Sequence, residues 1–306
     1  MCCLFGLIDY RRTLTVGQRN QILSALAAAC EARGTDATGI AYRSGSRLRI
    51  FKRPLPGHLM HFSVPRDARV IMGHTRMATQ GSARKNYNNH PFLGTADTGA
   101  FALAHNGVLR NDRTLRARLR LPKTKIETDS YIAVQLIQQA GTLDLVSLRD
   151  MAEQLEGSFT ITVLDAEDRL YIVKGDNPLC LYHFPASGVY LYASTSAILT
   201  QALQRVRTRL GEPEEVRTAC GELLRIGRNG KITKAFFDDR NLFAPHFPFF
   251  LTENRLPPRP QPERTHLEEL RGVAMAFGYA PEDVDRLAAQ GFTPDELEEL
   301  FYCGEL

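Results

Sequence analysis

The run Cys2–Ile8, CCLFGLI, is apolar without interruption and stops at Asp9. A strand with one face in water alternates apolar and polar residues, so an unbroken run describes a strand buried on both faces. The next pattern is helical. From about Gly17 to Arg33, Ile22, Leu26 and Cys30 fall four apart with Leu23 beside them, and Gly34 supplies a stop. TGIAYR, RLRIFKR, RVIMGHT and AFALAH then read as strands, rich in β-branched or aromatic residues. IETDSYIAVQLIQQAG and DLVSLRDMAEQLEG are each about a helix long and end at glycine, after which SFTITVLD, RLYIVKG, LCLYHF and VYLYAS return to strands. Strands, then helices, then strands predict an α+β arrangement of two sheets flanked by helices, not the regular βαβ alternation of a doubly wound parallel sheet.

A chain of 306 residues, 43% hydrophobic and 24% charged, can bury one large core with a small appendage. The composition changes at TENRLPPRPQPERTH, where Pro257, Pro258, Pro260 and Pro262 forbid a helix. This places a main domain at 2–250, a Pro-rich linker at 251–266 and a small acidic helical region at 267–306. That last region holds a repeat, GYAPEDVDRL from Gly278 and GFTPDELEEL from Gly291, each copy reading as a helix start with proline in its first turn. Residues 280–306 carry eight acids against Arg286, whereas Arg113–Lys125 carries six basic residues and no acid. The net charge of +4 is too mild to imply nucleic acid. Six cysteines without a C-x-x-C pair argue against a zinc site and a disulfide framework, and fit reduced thiols in the cytoplasm. No apolar run is long enough for a membrane span, and CCLFGLI lacks the basic flank of a signal peptide.

Four further segments carry chemistry: ARGTDATGIA from Ala32; GHTRMATQG from Gly73 with NNHPF from Asn88; AHNGVLRN from Ala104; and ETDSY from Glu127. With a cysteine directly after Met1, their order and spacing resemble the class II glutamine amidotransferase domain, whose strings are R-G-x-D-x-x-G-I, G-H-T-R-W-A-T-x-G, N-x-H-P and H-N-G, with an aspartate in an S/E-x-D-like turn. The resemblance covers roughly Cys2 to Gly230. It implies the four-layer αββα sandwich of N-terminal-nucleophile hydrolases, with the acidic helices as an appendage, and L-glutamine as substrate.

A thiol that attacks an unactivated amide needs a base for its own proton and an acid for departing ammonia. An α-amine, with an ordinary pKa of roughly 7.7 to 8.0, can serve as both. Removal of Met1 would leave Cys2 carrying its own base. Cys3 cannot substitute, because its nitrogen is a peptide amide; in a strand it points to the opposite face and packs. By the resemblance, the Asn106 side-chain amide and the Gly107 backbone N–H form the oxyanion hole. Taken alone, Asn106-Gly107 is also the strongest short hairpin signal. The resemblance gives Arg76 and Thr79 to the substrate carboxylate and Asp129 to its ammonium; since the α-amine makes a histidine base unnecessary, His74, His90 and His105 are expected to be structural. Met77 stands where the family often has tryptophan, and Cys3 where it has glycine.

Neither a cofactor nor a metal is expected. No ammonia-consuming signature is visible, so the chain reads as a stand-alone glutaminase half. Its ammonia would pass to a separate synthase or ligase, docked through FAPHFPFF or the acidic tail. A hydrolase of γ-glutamyl bonds in a larger amide or peptide would keep the same residues, as would a non-catalytic glutamine-binding module. The acceptor, the partner and homo-oligomer formation stay open at this level.

Overall fold

A computed structural model describes residues 2–242, 267, 270–271, 274–275, 279–293 and 297. Two antiparallel sheets face each other. The first has the order β11 (Glu214–Glu215), β9 (Cys180–Phe184), β10 (Val189–Ala193), β1 (Cys3–Asp9), β4 (Val70–Arg76), β2 (Ala37–Ser44), β3 (Arg47–Arg53). The second runs β13 (Ile232–Phe236), β12 (Glu222–Ile226), β8 (Leu170–Lys174), β7 (Gly157–Asp165), β6 (Gly99–Leu109), β5 (Phe92–Ala96). The CCLFGLI run therefore became an interior strand, buried at every position from Cys3 to Asp9.

Strand alternation distributes β1 between two cores. Cys3, Phe5 and Leu7 pack with α1 (Val16–Ala29) and α5 (Ser196–Gln204) on the outer side of the first sheet. Leu4 and Ile8 point inward, meeting Ala102, Ala104 and Leu164 of the second sheet. On the outer side of that sheet, Phe101, Leu103 and Phe159 pack against α3 (Tyr131–Ala140) and α4 (Leu145–Ala152). The layers run α, β, β, α, as the resemblance implies. A capping box at Thr15 and Gln18 starts α1, and Asp144 caps α4.

Local signals were weakest at short elements. The basic run contains a short helix, α2 (Asp112–Arg118), that sequence pattern did not mark, and α5 and β5 were also missed. The segment starting at Ile126 becomes helical only from Tyr131. The hairpin alternative for Asn106-Gly107 fails, because both residues lie inside β6, paired with Thr160 and Phe159.

In the C-terminal region, α6 (Pro281–Ala289) begins at proline with Glu282 and Asp283 in its first turn, and buries Val284 and Leu287 in a small cluster with Leu270, Ala274 and Leu297. The aromatic segment FAPHFPFF, the linker 251–266 and most of the second repeat copy lie outside the described residues. Among the described residues, no helix is long and apolar enough to cross a membrane, and no group of three or more His, Cys, Asp or Glu could hold a metal ion.

Candidate active site

Cys2 lies one residue before β1, on the face that alternation directs between the sheets with Leu4. It is half-buried, and its Sγ lies 3.5 Å from the Met77 carbonyl oxygen. Its own carbonyl accepts from Arg33 Nε at 3.1 Å. Burial pushes the Cys2 thiol above its ordinary value, with the Arg76 charge pulling it down and the Asp129 charge opposing. Those two charges act on the thiol because the fold brings both to it. Cys3 lies on the other face, fully buried, with its Sγ 3.0 Å from Cys30 Sγ.

Arg76 ends β4 and is buried. Its Nη1 donates to Asn89 Oδ1 at 2.8 Å, and its Nη2 donates to the carbonyls of Gln80 and Gly81 at 2.6 and 2.9 Å. The guanidinium thus holds the loop 77–81 and is oriented by it, and no hydrogen bond from Nε to a described residue accompanies these three. Thr79 is exposed on that loop, as is Met77. The ARGTD string supports the same loop. Asp36 Oδ2 accepts from Ala78 N at 2.7 Å, and Asp36 N donates to the Arg76 carbonyl at 2.9 Å. A Cβ on Gly34 would stand 2.6 Å from the Arg76 carbonyl carbon, so only glycine lets these two stretches approach.

Asn106 is fully buried on β6, and neither its Oδ1 nor its Nδ2 has a hydrogen-bond partner among the described residues. A buried polar group left unpaired costs about 1 to 3 kcal/mol, so this amide calls for a functional explanation. Even-numbered Ala102 and Ala104 of β6 face the first sheet, and Asn106 continues that row toward the start of β1, which packs on β6. Gly107 has φ +137°, and a Cβ there would fall 2.0 Å from the Ser158 carbonyl oxygen. Asp129, two residues before α3, is buried; its Oδ2 accepts from Leu109 N at 2.6 Å and its Oδ1 from the Ser130 hydroxyl at 3.3 Å. The resulting bonds tie Asp129 to the same strand that carries Asn106.

The three histidines form the wall behind these groups. His74 donates from Nε2 to the His105 carbonyl at 3.0 Å, its ring lies 4.2 Å from that of His90, and His105 Nδ1 meets Ser130 Oγ at 2.8 Å. Burial pushes His74 down to about 3 and His90 well below its ordinary value, and it lowers His105 as well. They are neutral packing groups at neutral pH.

Four contributors escaped sequence reasoning as site residues: Arg33, Asp36, Lys52 and Asn89. Arg33, Asp36 and Asn89 sat in strings quoted without assigned roles. Lys52 looked like one more cation on the strand RLRIFKR, yet its Nζ donates to the carbonyls of Asn89 and Pro91 and lies 5.2 Å from the Phe92 ring centre. Burial, helped by Arg76, pushes Lys52 down to about 8.

Residues 74–201 match the family described as "Glutamine amidotransferase domain". Glutamine–fructose-6-phosphate aminotransferase of Sulfurisphaera tokodaii is 31% identical over 192 residues, covering 59% of this chain and 31% of that enzyme. The enzyme of the same name from Symbiobacterium thermophilum is 32% identical over 191 residues, covering 59% of this chain and 30% of its own length. The match thus spans about a third of those relatives. In three dimensions, the glutamine phosphoribosylpyrophosphate amidotransferase of B. subtilis superposes with a TM-score of 0.62 at 22% identity, over 78% of this chain and 49% of that one, which shows the shared fold.

Residues 74–201 thus carry a glutamine amidotransferase domain with similarity to the aminotransferases, and the two facing sheets have the fold of the class II, N-terminal-nucleophile amidotransferases. Enzymes of this class use an N-terminal cysteine as nucleophile, and Cys2 stands at that place.

Proposed function

We propose that this protein hydrolyses the side-chain amide of L-glutamine through a γ-glutamyl thioester on Cys2, releasing ammonia. The unpartnered, fully buried amide of Asn106 carries the reading, since a donor held ready without a partner suits an oxyanion that exists only during reaction. Removal of Met1 frees the α-amine of Cys2. Because burial raises the thiol, that amine is needed to take its proton. The sulfur attacks the amide carbon, the oxyanion accepts from Asn106 Nδ2 and the Gly107 N–H, and collapse expels ammonia, which receives the stored proton. Water then attacks the thioester and returns the thiol. Arg76 and Thr79 hold the glutamine carboxylate and Asp129 its ammonium, a fork and a carboxylate matched to the two charges.

The released ammonia passes to a separate synthase or ligase protein in the cytoplasm. We assign residues 2–250 to the glutaminase domain, 251–266 to a linker and 267–306 to an acidic helical region available for that partner.

Intact mass spectrometry before and after a diazo-ketone glutamine analogue tests the chemistry. A chain lacking Met1 that gains one adduct at residue 2 is expected; retained Met1, or an adduct elsewhere, overturns the mechanism. Full glutaminase turnover by the purified chain, with no partner copurifying, removes support for transfer while leaving hydrolysis intact.

A further inference from the structure

The end of the sandwich remote from Cys2 holds a cavity that glutamine hydrolysis does not use. Its volume is about 550 Å³, and it lies where the end of β2, the β7–β8 turn and the β12–β13 hairpin meet. At about 3.3 Å per residue, the seven steps along β1 from Cys2 to Asp9 separate the two ends by about 23 Å.

Five cations line the cavity, Arg43, Arg169, Arg225, Arg228 and Lys231, against the single carboxylate of Glu167. Arg169 is neutralised by Asp165 and Glu167. Arg43 Nη1 reaches Asp168 at 3.3 Å, but its buried Nε has no hydrogen-bond partner among the described residues. Arg225 donates to the neutral hydroxyl of Thr233 at 3.3 Å. Arg228 and Lys231 form no ion pair with a described residue. Asp168 itself is almost wholly buried at φ +61°, one carboxylate in the field of Arg43, Arg69 and Arg228, with its Oδ1 unbonded. Positive charge therefore exceeds negative charge in a concave space, and the like-charge crowding is unfavourable until an anion enters.

We propose that this cavity binds a phosphate-bearing small molecule with at least two negative charges, such as a di- or triphosphate ester. Guanidinium forks match phosphate oxygens in pairs. The volume lies within the roughly 300 to 1,000 Å³ of small-molecule sites, and the concavity suits a compact ligand better than an extended polymer. Its occupancy stabilises the fold by mass action, since the unfolded chain has no such cluster.

The test is calorimetric titration of the full chain with inorganic tripolyphosphate, with sulfate at matched ionic strength as the control, alongside thermal melting. Saturable one-to-one binding with a raised melting temperature is expected, weakened at least tenfold in Arg228→Glu/Lys231→Glu. Both residues are exposed on the hairpin; the milder Arg228→Gln/Lys231→Gln, which should also weaken binding, covers the case in which charge reversal disturbs folding. Absence of saturation, or affinity unchanged in a folded double variant, overturns the proposal. So does a single-stranded oligonucleotide that displaces tripolyphosphate and binds tenfold tighter, which would assign the surface to nucleic acid.

Discussion

The two ends of the sandwich treat buried charge in opposite ways. At the Cys2 end, Arg76 is held by one side-chain amide and two backbone carbonyls, and Asp129 by a backbone N–H and a hydroxyl. Their orientation depends on neutral dipoles fixed by the fold, and the buried amide of Asn106 has no hydrogen-bond partner among the described residues. At the remote end, Arg43 and Arg169 face carboxylates, Arg228 and Lys231 form no ion pair with a described residue, and the buried carboxylate of Asp168 lies in the field of three arginines. Neutral anchoring gives a preorganised site insensitive to salt, whereas excess charge gives a site whose affinity falls with ionic strength.

The sharpest division between the ends is Cys2→Ala. Glutaminase turnover should fall by about 10⁴-fold or more, as for loss of other enzymes' nucleophiles, while tripolyphosphate affinity stays unchanged; a shared loss would mean the ends are coupled. Next, Asn106→Ala should lower kcat by about 10² to 10³ with KM little changed. Its melting temperature should hold or rise, because the variant removes an unpaired buried amide. A large fall in stability would show that Asn106 has a structural partner and would blur the contrast.

Gly107→Ala acts on the fold first. A Cβ 2.0 Å from the Ser158 oxygen, at φ +137°, should cost roughly 1 to 3 kcal/mol from backbone strain alone, measured by denaturant unfolding. Lys52→Met should raise KM several-fold and spare kcat, since it loosens Asn89 and through it Arg76. Lys52 also gives a pH signature. Its folded value of about 8 lies below the ordinary 10.5, so between those pH values the unfolded chain binds more protons, and native stability should rise with pH in the wild type but not in Lys52→Met.

The smallest effect concerns acid. His74 stays neutral in the fold down to about pH 3, whereas the unfolded chain protonates it near 6.5. Its contribution is complete above pH 6.5 and is lost as pH falls toward 3, so His74→Phe should lose stability less steeply over that window. An unchanged acid slope would move the burden to His90.

Much of the site was legible because its chemistry requires particular residue types in a fixed order. A cysteine directly after Met1, the strings around Arg76, Asn106 and Asp129, and the unbroken apolar β1 all appear in linear sequence. What escaped was long-range. Lys52 is one more basic residue until β3 is placed beside the 89–91 segment, and the Asn106-Gly107 pair looks like a turn until β7 pairs along it. The remote cavity gathers Arg43, Arg169 and Arg228 from three separate hairpins, so no sequence window contains it.

Local sequence determined the chemical groups and the burial of the elements that carry them, because residue identity and apolar periodicity are properties of neighbours along the chain. Tertiary structure decided which charges meet Cys2, which amide is left without a partner, and where positive charge accumulates, because those depend on pairings between strands up to about 190 residues apart, as where Leu4 N donates to Ser194 Oγ. Hydrogen-bond satisfaction and electrostatic fields are set by distances in space, and only the folded sheets define them.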